Sequence, residues 1–144
     1  MQSLLDVKEA AEKQAKADFA AAQRAAEEVR QRYEACCREI CTEQERMESG
    51  ARCGMQALEY RRCRSFLLLL EEQADSLEQA LEQASRTALE KQTVLREIYR
   101  DKKMLERLRT AQKIAFDKEE ARKEAREMDD LLTPGMVAHM SESK

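Results

Sequence analysis

Ser49-Gly50-Ala51-Arg52-Cys53-Gly54 separates two long stretches that contain no other glycine and no proline until Pro134. Glycine costs a helix interior about 1 kcal/mol relative to alanine. Two glycines four residues apart therefore read as a helix C-cap and a tight connection. The expected elements are helix one over 3–48, a turn over 49–54, helix two over 55–132 and a disordered tail over 133–144. The tail follows the breaker Thr133-Pro134-Gly135 and shows no periodicity.

The stretch before the glycines can be stepped in alternating threes and fours from Leu5: Lys8, Glu12, Ala15, Phe19, Ala22, Ala26, Val29, Tyr33, Cys36, Ile40, Glu43 and Met47. Apolar or amphipathic residues dominate these positions, as in a heptad seam. The Ala-rich middle allows close approach but buries little area per layer. Ser3 followed by Asp6 resembles a capping box at the start. After the glycines a second stripe runs through Leu58, Phe66, Leu70, Leu77, Leu81, Ala84, Ala88, Leu95, Ile98, Leu105, Leu108, Ala111 and Ala115.

At about 1.5 Å per residue the helices should be roughly 70 Å and 115 Å long. If the chain reverses near residue 52, residues whose numbers sum to about 104 lie side by side. The expected fold is all-α: an antiparallel two-helix coiled-coil hairpin whose longer C-terminal helix overhangs the first. A parallel dimeric coiled coil interrupted at the glycines is the rival arrangement.

Composition narrows the function. Of 144 residues 38% are charged and 4% aromatic, with no Trp, which suits long helices rather than a globular core. A net charge of −3 argues against nucleic acid as the main partner. The longest apolar run, Phe66 to Leu70, is far short of a membrane span. The start lacks the pattern of a secretory signal, so the five cysteines are expected to be reduced in a cytosol.

Catalysis has little to work with. His139 is the single histidine, and the carboxylates alternate with Lys and Arg as on a solvated helix face. No phosphate loop, nucleophile elbow or metalloprotease motif is present. No enzyme activity and no cofactor are expected. Cys37, Cys41 and Cys63, with Cys36, could meet near the bend. Their spacing lacks the usual zinc knuckles, and small packing residues are the simpler reading.

Two surfaces are more informative. From Phe66 to Leu70 the helix is apolar all round, so Leu67, Leu68 or both should face water and mark a partner site. Residues 96–118 carry eight Lys or Arg against four acids, whereas 71–90 carry six acids and Arg86 alone as a cation. A basic helix without a partner suits an acidic channel or groove.

Three stretches, SLLDVKEAAEKQAKADFAAAQ (3–23), ALEYRRCRSFLLLLEEQADSLEQAL (57–81) and DKKMLERLRTAQKIAFDKEEARKEAREMDDLL (101–132), together resemble the FliJ/YscO family of flagellar and virulence type III secretion systems. The resemblance implies a cytoplasmic hairpin, peripherally associated with the export apparatus at the inner membrane and similar in fold to the γ-subunit stalk of rotary ATPases. It further implies a central stalk that promotes assembly and activity of the hexameric flagellar export ATPase. Arg100, Lys102, Lys103, Arg107, Arg109, Lys113 and Lys118 would then meet the ATPase ring. Phe66, Leu70, Gln73 and Leu77 would meet the cytosolic domain of the export-gate membrane protein, Gln73 standing where the family has a small apolar residue. Some members also handle export chaperones. A coiled-coil scaffold without an ATPase partner and an escort for export chaperones are the alternatives.

Overall fold

Two glycines in different roles make the chain reversal. The computed structural model describes residues 2–142, with side chains described for 2–132. Helix α1 spans Gln2–Cys53 and helix α2 spans Ala57–Glu142. The two form an antiparallel hairpin in which α2 is the longer helix.

Gly54 sits at φ +89° just past α1, a left-handed conformation that carries almost no penalty without a Cβ. The Met55 N–H then donates to the Gly50 carbonyl at 2.8 Å, five residues back. This is the 6→1 bond of a Schellman cap, which satisfies one of the helix's last free carbonyls. Gly50 itself remains helical. A Cβ there would overlap the end of the Met55 side chain, so the second glycine leaves room for that side chain to fold back. Met55 in turn packs on the cluster of Met47, Cys63 and Leu67.

α1 therefore runs to Cys53, past the sequence-based end at residue 48, and the turn is confined to Gly54, Met55 and Gln56. A glycine inside the last helical turn and one just after it look alike in sequence. At the other end α1 is already helical at Gln2, which places Ser3 within the first turn rather than at the cap. α2 continues to Glu142, through Thr133-Pro134-Gly135. Proline's own φ fits a helix, but its ring removes one backbone hydrogen bond and crowds the preceding turn, so the continuation past Pro134 carries a local cost. Residues 143 and 144 of the expected tail lie outside the described residues.

The chain divides into two compact units, Ala10–Tyr99 and Met1–Glu9 with Arg100–Lys144. In the first, every stepped position of α1 from Glu12 to Met47 is buried or half-buried. α2 answers with Cys63, Leu67, Leu70, Ala74, Leu77, Leu81, Ala84, Ala88, Leu95 and Ile98. The core forms two clusters: Cys36, Leu70 and Ala74, flanked by Tyr33, Ile40 and Leu77, and Met47, Cys63 and Leu67. The later turn shifts the register, so Met47 faces Cys63 where a bend near residue 52 would have set Cys41 there. Glu12 is the buried charged residue among those described, and Lys16 pairs with it at 3.2 Å one turn on.

That register disposes of the thiol cluster near the bend. Cys36 is buried and its thiol donates to the Leu70 carbonyl at 3.4 Å, while Cys63 is buried in the other cluster and Cys41 is exposed. Among the described residues no group of three metal-ligating side chains converges. Burial holds the Cys36 thiol above its ordinary pKa, reinforced by charge at Cys37 and Glu39. Because the folded pKa is the higher one, this contribution to stability is full below the unfolded thiol pKa and is lost as pH rises past it. The Tyr33 phenol is raised as well, first by its hydrogen bond with Cys37 and then by the charges of Cys37, Glu78 and Asp75.

Gly54→Ala should destabilise the hairpin by about 1 kcal/mol through the strained left-handed backbone, measured as a lower midpoint in urea. Leu70→Ala should cost about 2 to 3 kcal/mol, whereas Leu69→Ala, one residue away, should stay within about 0.5 kcal/mol. With iodoacetamide under native conditions, Cys41 and Cys53 should be alkylated first, and Cys36 and Cys63 only after denaturant is added.

Candidate interaction surfaces

The first surface lies on the unit of residues 10–99, at the start of α2. Four consecutive leucines follow Phe66, and a helix can hide only one stripe of such a run. The seam takes Leu67 and Leu70, the latter 4% exposed, and leaves Phe66 at 46%, Leu68 at 50% and Leu69 at 63%. Leu68 faces water, which meets the expectation that Leu67, Leu68 or both would do so, and Leu67 is buried. Phe66 stands in the sequence-based stripe, yet its neighbour Leu67 holds the seam position, because Cys63 rather than Leu58 begins the stripe.

Phe66 instead borders a shallow hollow with Ala35, Arg38, Glu39, Thr42 and Glu43 of α1. An adjoining hollow is lined by Arg32, Ala35, Cys36, Glu39, Gln73 and Leu77. Ala35 and Glu39 belong to both, so the two form one groove along the edge of the helix pair. Of the four residues expected at the export gate, Phe66, Gln73 and Leu77 line this groove. Leu70 sits behind it in the core, where its side chain packs with Cys36 and Ala74. The sequence reading missed Leu69, which lies three residues from Phe66 and four from Gln73 and so shares their side of the helix. It missed the α1 wall as well. Ala35, Glu39 and Thr42 are unremarkable in sequence, and only the hairpin register sets them beside Phe66.

The groove is chemically mixed. Phe66, Ala35 and Leu77 supply apolar surface. Thr42 is turned to its own helix, donating to the Arg38 carbonyl at 2.9 Å, and Glu43 pairs with Arg46 at 3.7 Å. Such a surface can hold an amphipathic helix whose apolar side chains enter the hollows while its polar flank meets Arg38 and Glu39.

The second surface lies on the other unit. Lys8 bonds Asp101 at 3.1 Å, which sets the first turns of α1 beside α2. Leu5 is buried, and Lys102, Leu105 and Glu106 are half-buried. From Arg107 to Leu132 every side chain but the half-buried Glu120 is exposed.

All seven residues expected at the ATPase ring lie on this unit, but they do not form one patch. Helical spacing sets Arg100, Lys103, Arg107 and Lys118 on one face and Lys102, Arg109 and Lys113 on another. Lys103 also pairs with Glu106 at 3.6 Å. Cations on two faces suit a helix enclosed by a ring of partners better than one laid on a flat surface. Nothing on either surface offers a nucleophile held by a base, and no helix among the described residues is long and apolar enough to cross a membrane.

Against this geometry, the model of the flagellar FliJ protein family matches residues 1–135. No curated protein and no solved structure gives a significant match. The chain belongs to the FliJ family.

Proposed function

We propose that this chain, a non-enzymatic FliJ-family component of the flagellar export apparatus, acts in the cytoplasm as the central stalk of the hexameric export ATPase. The observation that carries the reading is the long α2 segment that outruns α1, with its cations spread over two faces. In this reading Arg100, Lys102, Lys103, Arg107, Arg109, Lys113 and Lys118 meet acidic groups lining the ring. The groove of Phe66, Gln73 and Leu77, extended by Leu69, meets the cytosolic domain of the export-gate membrane protein.

A stalk of this kind needs no chemistry of its own. It binds the closed hexamer more tightly than free subunits, and by mass action it shifts the assembly equilibrium towards the ring. The coulombic part of that binding weakens with salt, since exposed pairs are screened beyond roughly 10 Å at 0.1 M. The exposed Leu68 and Leu69 also suit an escort that holds export chaperones. That second reading differs in one respect: it leaves the ATPase rate untouched.

Steady-state ATP hydrolysis by the cognate export ATPase, followed with particle size, tests the proposal. Stimulation with a shift to hexamers is expected. An unchanged rate and size distribution would overturn the stalk reading. Arg107→Glu combined with Arg109→Glu and Lys113→Glu should abolish stimulation with helicity intact, as should the helix-breaking Leu108→Pro. Both should still bind the gate domain. Phe66→Asp should do the reverse, weakening gate binding about tenfold or more while stimulation survives.

A further inference from the structure

The unit that carries the basic segment also has an apolar edge that its own chain does not cover. Lys8 touches Asp101. Leu4, one turn before Lys8, and Met104 and Leu108, one and two turns after Asp101, therefore lie along the same edge of the helix pair. They are 53%, 63% and 48% exposed. Beyond the start of α1 the stripe continues on α2 through Ala111 and Ala115, both exposed, so that 104, 108, 111 and 115 follow the four-three-four spacing of a coiled-coil seam.

We propose that this edge pairs with the same edge of a second copy, antiparallel, about a two-fold axis passing between Arg109 and Thr110. The stripe is self-complementary about that point. Met104 meets Ala115 of the second copy and Leu108 meets Ala111, a large residue against a small one in each layer. An isologous contact requires this kind of match, because one patch must serve as both surfaces.

Charge selects the same arrangement. From Arg100 to Glu119, each ionisable residue that comes level with another across the axis meets the opposite sign. Arg100 is level with Glu119, Asp101 with Lys118, Lys102 with Asp117 and Glu106 with Lys113. Asp101 and Lys118 continue the stripe's spacing and form its polar end layers, with Arg100 and Glu119 beside them. The other two pairs lie on outer faces, more than a Debye length apart, and are largely screened. A parallel pairing in register would instead set every charge against its own kind.

The first turns of α1 do not obstruct this pairing. They lie beside 100–107 of their own α2, level with 112–119 of the second copy, where the second copy has no α1. Leu4 then comes level with Ile114 and Ala115 of the second copy, and Ile114 is itself exposed. Two alanines in each seam keep the buried area small, so the dimer is weak and reversible. On the stalk reading above, the pairing also covers the segment that enters the ring, so dimerisation and ring entry exclude each other.

Sedimentation velocity of the full chain without ATPase, from about 5 to about 200 µM, tests the proposal by mass action. A concentration-dependent shift from monomer to dimer is expected, stronger at low salt. Asp101→Lys and Lys118→Asp should each weaken dimerisation about tenfold, because the two-fold axis applies each repulsion twice. The double variant restores opposite signs and should restore the dimer. Asp101→Lys also breaks the Lys8 bridge, which the double variant cannot repair, so rescue reports the contact between copies. A monomer throughout the range would overturn the proposal, as would a dimer indifferent to the single reversals or a double variant as weak as either. The ATPase is absent, so none of these outcomes depends on the stalk reading.

Discussion

Which residues of α1 face which residues of α2 is decided by a single hydrogen bond, from the Met55 N–H to the Gly50 carbonyl. The bond requires Gly54 in a left-handed conformation, and the space beside Gly50 lets Met55 fold onto the core. With the turn placed there, Met47 meets Cys63 and Leu67, and Cys36 meets Leu70. A reversal a few residues earlier would bring Cys41 against Cys63. Interaction groove, core and thiol environments all follow from where the cap closes.

Much of this is legible in the sequence, and the shortfall has a physical cause. Every stepped position of α1 from Leu5 to Met47 is buried or half-buried, because period alone decides which face a helix hides. From Leu70 to Leu105 the second stripe is read correctly for the same reason. The start of α2 is not, since Phe66-Leu67-Leu68-Leu69-Leu70 is apolar at every step and carries no period. Only the partner helix can choose among its members, and it chooses Leu67. The basic segment was plain as a count of charges. Its division between two faces needed the helix to be continuous from Ala57 onwards.

The seam changes character along its length. Near the turn it is built from Met47, Leu67, Leu70 and Ile40, and further on from alanines such as Ala15, Ala26, Ala84 and Ala88. Around Ala26 and Ala88 the small side chains leave an open hollow bordered by Phe19, Gln23, Arg30 and Leu89. Apolar burial therefore concentrates at the turn end, the same end that carries the Phe66 groove. Towards the start of α1 a charged residue enters the seam, Glu12, paired within its own helix to Lys16 at 3.2 Å.

A lone helix in water has a difficult beginning: closing its first turn orders several residues for one hydrogen bond, with an equilibrium factor on the order of 10⁻³. α2 is uninterrupted from Ala57, so its exposed portion need not make that beginning for itself. Each residue past Glu106 adds to a helix that already exists, at a propagation factor near or above one for Ala, Glu, Lys and Arg. Pairs such as Lys123 with Glu120 add small increments. The packed half of α2 thus serves as a permanent nucleus, and a segment with no core of its own stays ordered because it grows from one.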